Sequence, residues 1–160
     1  MTLLLLLFIL IVPYLLLTLV DRKLSGVAIA PKTRGRLGLS LFFVFTAIGH
    51  FGKTAGMVAM LPAFLPYRVE VIYLTGILEI LGAIGLWVPR LVRLTGVCLI
   101  AMLLGFLPVN IYAAFNHVDF GGHGVGPIYL LLRIPFQVLV LWWTYWVTDQ
   151  RWFTGPAKPA

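Results

Sequence analysis

Residues 1–20 read MTLLLLLFILIVPYLLLTLV, and this stretch contains no charged side chain. A helix that crosses the hydrocarbon core of a bilayer needs about 20 mostly apolar residues. The stretch meets that length by itself, and its first charges, Asp21, Arg22 and Lys23, follow it. It lacks the basic start and the small-residue cleavage site of a secretory signal peptide. We therefore predict a retained N-terminal transmembrane helix over residues 1–20.

Four further apolar runs follow along the chain, over residues 37–51, 69–88, 94–115 and 127–148. The first of these is short, about 22 Å if helical. It can still cross if Arg34 and Arg36 extend toward the interface at one end and the chain dips into the membrane at the other. Residues 52–66 are apolar but broken by prolines, which favours an interfacial or re-entrant segment. The prediction is an all-α membrane protein with five crossings. A four-helix transmembrane bundle over residues 37–148 follows the extra N-terminal transmembrane helix.

The composition excludes several classes of protein. Of the 160 residues, 61% are hydrophobic and 11% are charged, whereas a soluble domain is roughly half apolar and about a quarter charged. The net charge of +7 comes from basic residues that lie between the apolar runs, not on one polar face, so nucleic acid is not the expected partner. Cys98 is the only cysteine, which excludes a dithiol redox pair within the chain. The lipid bilayer is the expected surrounding.

The basic residues are distributed unevenly between the two sides of the predicted bundle. Residues 21–36 form a basic linker, and together with the connection at 89–93 and a loose tail at 149–160 they hold nine basic residues. The opposite side holds only Lys53 and Arg68. Cytoplasmic loops are enriched in Lys and Arg. We therefore predict a cytoplasmic linker and C-terminus, with the N-terminus outside.

Two ionisable residues interrupt the apolar runs, and such residues mark function or a specific buried partner. Glu79 lies near the centre of the run at 69–88, and Arg133 lies six residues into the run at 127–148. Their depths below the outer surface differ by about 6 Å, which the long Arg side chain can cover. The sequence therefore predicts a buried Glu79–Arg133 ion pair.

Further polar side chains fall in the same outer half of the membrane. Pro108 and Pro135 each free a backbone carbonyl of their own helix, those of Leu104 and Leu131, and freed carbonyls in lipid need donors. We predict a polar pocket open to the outer face, with these ligand-binding residues: His50, Glu79, Asn110, Arg133 and Gln137. A second interpretation stays open, in which the ion pair only staples two helices and the amides bond between helices.

Neither a catalytic residue nor a metal site is assigned. The outer loop carries His117, Asp119 and His123, residue types that suit divalent metals, but their spacing matches no fixed metal site.

Several short motifs resemble the DoxX-like family of small bacterial membrane proteins. They are AIGHF at 47–51, LPAFLP at 61–66, TGILEILG at 75–82, PVNIY at 108–112 and LRIPFQ at 132–137. The resemblance covers about residues 37–148, and the first helix departs from the family pattern. It implies a four-helix bundle in the bacterial cytoplasmic (inner) membrane. It also implies a link to quinone-dependent redox chemistry, with a membrane or redox protein as partner.

Three functions follow from these observations. The first is an accessory subunit of a quinone-linked membrane redox system, with a quinone as the ligand of the pocket. The second is a structural or assembly factor for a partner membrane complex. The third is a small transporter, although the polar residues stop near Glu79 and do not cross the full thickness. An autonomous enzyme is not expected, since no nucleophile–base pair occurs. A role as an oxidoreductase subunit and assembly as a homo-oligomer both stay open.

Overall fold

The computed structural model describes residues 2–23 and 29–148 of the chain. These residues form six α-helices and no strand, which confirms the all-α fold class. The helices are α1 (Thr2–Lys23), α2 (Pro31–Gly52), α3 (Thr54–Ala59), α4 (Arg68–Gly85), α5 (Val92–Phe115) and α6 (Leu130–Thr148). Two short 3-10 turns, His123–Val125 and Pro127–Tyr129, lead into α6. The predicted loose tail at 149–160 lies outside the described residues.

Four helices of the described part are long and apolar enough to cross a membrane, and they agree with a membrane protein. They are α1, α2, α5 and α6, the last together with the turn before it. The helix α4 is shorter, 18 residues or about 27 Å, and it carries three charged residues, Arg68, Glu70 and Glu79. It nevertheless packs against α2 and α5, so it belongs to the same bundle.

The helix α2 begins at Pro31, six residues earlier than the apolar run, and is 22 residues long. Proline suits the first turn of a helix because its missing N–H has no partner there. Arg34 forms an ion pair with Asp21 of α1, and Arg36 Nε donates to the Val147 carbonyl oxygen of α6 at 3.0 Å. The helix is therefore longer than its apolar run, and its first turns carry both arginines. Both bond within the bundle, which shortens the predicted linker.

Small residues let the helices approach closely. A Cβ atom on Gly76 would lie 2.8 Å from the Cβ atom of His50 on α2. A Cβ atom on Gly38 of α2 would overlap with the backbone carbonyl of Leu10 on α1. Leu10 is completely buried, so α1 packs on the bundle as one of its helices. The extra N-terminal helix is thus held by direct backbone contact with α2.

Substitution of Gly38 tests this contact between α1 and α2. We expect Gly38→Ala to lower the free energy of unfolding by about 1–3 kcal/mol, because the new methyl group forces backbone apart. Gly105→Ala is the matched control, since no heavy atom lies within 4 Å of its added Cβ; it should leave stability unchanged or raise it by up to about 1 kcal/mol. Thermal unfolding in detergent measures both. Equal stability of Gly38→Ala and the wild type would contradict the packing.

Candidate functional site

Glu79 lies against His50 of α2. The His50 Nε2 and Glu79 Oε2 atoms are 3.6 Å apart, and the side chains are 9% and 3% exposed. The predicted Glu79–Arg133 ion pair, and with it the staple between those two residues, is therefore wrong. The helix α4 packs against α2, α3 and α5, whereas α6 packs mainly against α5 and α2. Glu79 and Arg133 have compatible depths, but they lie on helices that are not close neighbours.

The contacts of His50 Nδ1 determine whether His50 Nε2 carries a hydrogen or a lone pair toward Glu79. His50 Nδ1 lies 2.9 Å from the Ile72 carbonyl oxygen and 3.0 Å from the Thr75 hydroxyl oxygen. A carbonyl oxygen can only accept, so Nδ1 must carry the hydrogen. Thr75 itself donates to backbone carbonyls of α4. In the neutral ring Nε2 therefore presents a lone pair to Glu79.

The carboxyl group of Glu79 is buried and incompletely bonded. Its residue is 2% exposed, and Oε2 has no hydrogen-bond partner among the described residues. The hydroxyl of Thr46, one turn before His50 on α2, lies against the carboxyl, but it donates to the carbonyls of its own helix. Buried polar atoms are nearly always paired. The free oxygen and Nε2 thus form a place where a proton or a donor group can be held.

A second polar group lies between α5, α6 and the outer loop, and we call Asn110, His123 and Arg133 the outer polar cluster. Asn110 Nδ2 donates to the Phe106 carbonyl oxygen at 2.7 Å. Its Oδ1 accepts from Arg133 Nε at 3.0 Å and lies 3.1 Å from His123 Nε2. The structure therefore brings Asn110 and Arg133 together. It adds His123, which the sequence analysis assigned only to the outer loop and to no site.

Gln137 bonds between helices, below the outer polar cluster. Its Nε2 donates to the Leu103 carbonyl oxygen of α5, while its Oε1 is buried without a partner among the described residues. The prediction placed the acceptor at the carbonyl of Leu104, which Pro108 frees. The Gln137 amide instead donates to the carbonyl one residue earlier, that of Leu103. A side chain of α6 thus donates to a backbone carbonyl of α5 near Pro108, although this carbonyl is not the one that the proline frees.

Phe106 lies between the two polar groups. Its ring centroid is 6.2 Å from that of His50, and its carbonyl accepts from Asn110. The five predicted site residues are therefore divided into a His50–Glu79 pair and a group on α5 and α6, and a single pocket that contains all five stays a prediction. An apolar groove of about 380 Å³ lies elsewhere, between α1 and α2.

The sequence reasoning missed two threonines beside the His50–Glu79 pair. Thr46 precedes His50 by four residues, and Thr75 precedes Glu79 by four. Residues four apart share one face of a helix. That spacing was the signal that could have found both side chains.

His123 lies outside the helices that could span a membrane, and its burial has a consequence for stability. Burial lowers the pKa of His123 below its usual 6.5, the bond to the Phe120 backbone opposes this, and the charge of Arg133 adds to it. The unfolded chain therefore binds a proton more readily than the folded chain does. Stability should be full above pH 6.5 and fall as the pH drops below it.

Substitution of His123 should reduce that loss of stability. We expect the difference in melting temperature between pH 7.5 and pH 5.0 to be smaller in His123→Gln than in the wild type. The control is His117→Gln, an exposed histidine of the same loop, which should keep the wild-type difference. An unchanged pH dependence in His123→Gln would show that the burial of this ring does not limit stability at low pH.

Comparison with known proteins places the chain in a family. The family model described as Domain of unknown function (DUF8561) matches residues 39–148, more than half of the chain. No curated protein and no solved structure matched. The matched segment begins within α2 and ends with the last residue of α6. It therefore includes the His50–Glu79 pair and the outer polar cluster, and it leaves out α1.

Proposed function

The chain belongs to the DUF8561 family, and we propose that it is an accessory membrane subunit of a quinone-linked redox system. The observation that carries this proposal is the buried His50–Glu79 pair, in which two proton-binding side chains face each other at 3.6 Å. A quinone head group presents carbonyl oxygens when it is oxidised and hydroxyl groups when it is reduced. The pair can donate a proton to the first form and accept a hydrogen bond from the second.

The redox part of the proposal is supported by the resemblance of the helical motifs to the DoxX-like family. The single cysteine leaves no dithiol chemistry to the chain itself, so electrons would come from a partner redox protein. Asn110, Arg133 and Gln137 would line the route from the outer face to the pair. The ligand pocket in this proposal thus contains the predicted residues at two depths, with His50 and Glu79 at the inner one.

The proposed location is the bacterial cytoplasmic membrane, with the N-terminus outside and the C-terminus in the cytoplasm. The excess of basic residues in the linker after α1 and in the connection between α4 and α5 supports this orientation. The antiparallel packing of α4 against α2 supports a fifth crossing. Ser40 of α2 donates to the carbonyl of Ala83 near the end of α4, whereas His50 lies nearer the start of α4.

Quinone content tests the proposed function directly. The full chain is purified in mild detergent, and its bound quinones are extracted and quantified. We expect the wild type to retain quinone and Glu79→Gln to retain about tenfold less, because the amide can neither give up nor take up a proton and has one acceptor oxygen fewer. His50→Gln should show a similar loss.

The matched control is Glu70→Gln, which removes an exposed carboxylate from the first turn of the same helix. It should retain quinone like the wild type. Circular dichroism and thermal unfolding identify any variant that has lost its fold. A well-folded Glu79→Gln with unchanged quinone content would refute the site. A wild-type chain without quinone, even after addition of a short-chain quinone, would refute the function.

A second candidate function is that of a structural or assembly factor. The observation that favours it is that Arg133 and Gln137, the polar side chains of the outer half of α6, both donate to acceptors on α5. Amide and guanidinium groups used this way hold helices together. In this candidate function the interhelical hydrogen bonds join α6 to α5, and no bond joins Arg133 to Glu79 of α4.

This candidate predicts an energetic coupling between Arg133 and Asn110. Asn110→Leu and Arg133→Leu should each destabilise the bundle, and the double variant should lose less than the sum, by about 0.6–1.7 kcal/mol. Unfolding in detergent measures the four chains of the cycle. Additive losses would mean that the Arg133–Asn110 bond does not hold α6 to α5. A large coupling together with no retained quinone would favour assembly over ligand binding.

A further inference from the structure

Arg133 has a positive charge but no acidic partner among the described residues. Its Nε donates to Asn110 at 3.0 Å, and its guanidinium carbon lies 6.0 Å from the centre of the Phe136 ring. Two buried or partly buried carboxyl groups lie against other residues, Asp21 against Arg34 and Glu79 against His50. Glu70 and Asp119 are exposed, and neither forms an ion pair with Arg133. A guanidinium has five N–H donors. The four on Nη1 and Nη2 therefore have no acceptor in the described part of the chain.

His123, which lies beside Arg133 in the outer polar cluster, has hydrogen-bond contacts that its neutral ring cannot satisfy. Its Nδ1 lies 2.8 Å from the Phe120 carbonyl oxygen and its Nε2 lies 3.1 Å from Asn110 Oδ1. The amide of Asn110 cannot be turned round, because Arg133 Nε can only donate to it and the Phe106 carbonyl can only accept from it. Both ring nitrogens therefore face acceptors, and only the doubly protonated ring satisfies both.

The protonated form of His123 is disfavoured where it lies. Burial lowers the pKa of the ring, and the charge of Arg133 lowers it further. The residue is 3% exposed, so water compensates little. An anion beside Arg133 would offset this repulsion and stabilise the protonated ring. One negative charge would thus accept hydrogen bonds from Arg133 and favour the protonated ring of His123.

We propose that Arg133, with His123 and Asn110 beside it, binds a phosphate-type oxyanion at the outer face of the bundle. Arginine binds phosphate through two parallel N–H···O bonds, and the bond from Nε to Asn110 holds the plane of the guanidinium. Arg133 lies three residues after the first residue of α6, about 5 Å along the axis. That is close to the head-group layer, so an anionic lipid or free phosphate could supply the group. The site goes beyond the proposed function, since it requires neither quinone nor a redox partner.

Lipid and phosphate binding to the purified full chain test this site. Native mass spectrometry compares retention of phosphatidylglycerol with that of phosphatidylcholine, and thermal shift measures the response to inorganic phosphate with chloride as the control for ionic strength. We expect the wild type to prefer phosphatidylglycerol by about tenfold, and Arg133→Gln to lose the preference. Arg68→Gln is the control, because it removes an equal charge from the first residue of α4, on the same predicted side.

The results distinguish the two sources of the group. A preference for phosphatidylglycerol without a response to inorganic phosphate identifies a lipid head group. A rise in melting temperature with phosphate that Arg133→Gln abolishes identifies a soluble phosphate compound. Equal retention of both lipids with no phosphate response, or the same preference in the wild type and Arg133→Gln, would overturn the proposal.

Two further variants keep the test decisive. If Arg133→Gln does not fold, Arg133→Lys keeps the charge but not the planar fork, and it should weaken the lipid preference. Unchanged preference in Arg133→Lys would count against two-bond recognition, and hence against the proposed site. Glu79→Gln should keep the wild-type lipid preference whatever its quinone content, so failure of this site and failure of the quinone site are separate outcomes.

Discussion

Most polar side chains that this apolar bundle buries are bonded inside it, because lipid offers them neither donors nor acceptors. The helix α2 shows the effect most clearly. Through Arg34 it holds α1, through Arg36 it holds α6, and through Ser40 and His50 it holds α4. These contacts join segments far apart in sequence. The polar residues therefore specify which helices are neighbours, while the apolar residues supply the bulk of the packing.

The positions of the helices along the chain follow from the sequence, whereas the sequence does not show which helices pack against one another. The charge-free first run and the long runs of α5 and α6 predict their own helices, because length and hydropathy are local properties. The start of α2 was missed because Arg34 and Arg36 resemble flanking charges until their partners on α1 and α6 are known. Glu79 was given the wrong partner for a related reason. Depth along a helix follows from residue counting, but the order of helices around a bundle depends on contacts between distant segments.

The sequence predicted only part of the composition and part of the arrangement of the candidate site. Asn110 and Arg133 do lie together, on α5 and α6. His50 and Glu79 form a separate, deeper pair, with Phe106 between the two groups. This division is what separates the two proposals. The quinone proposal uses proton exchange at the deeper pair, whereas the oxyanion proposal uses the positive charge of Arg133 in the outer polar cluster.

The partner of Glu79 is the point on which the proposed function most depends, and cross-linking tests it directly. In a chain with Cys98→Ser, cysteines replace either residues 50 and 79 or residues 79 and 133, and a short bifunctional thiol reagent is applied in membranes. We expect efficient cross-linking of 50 with 79 and little of 79 with 133. The reverse result would contradict the helix arrangement on which the His50–Glu79 pair rests.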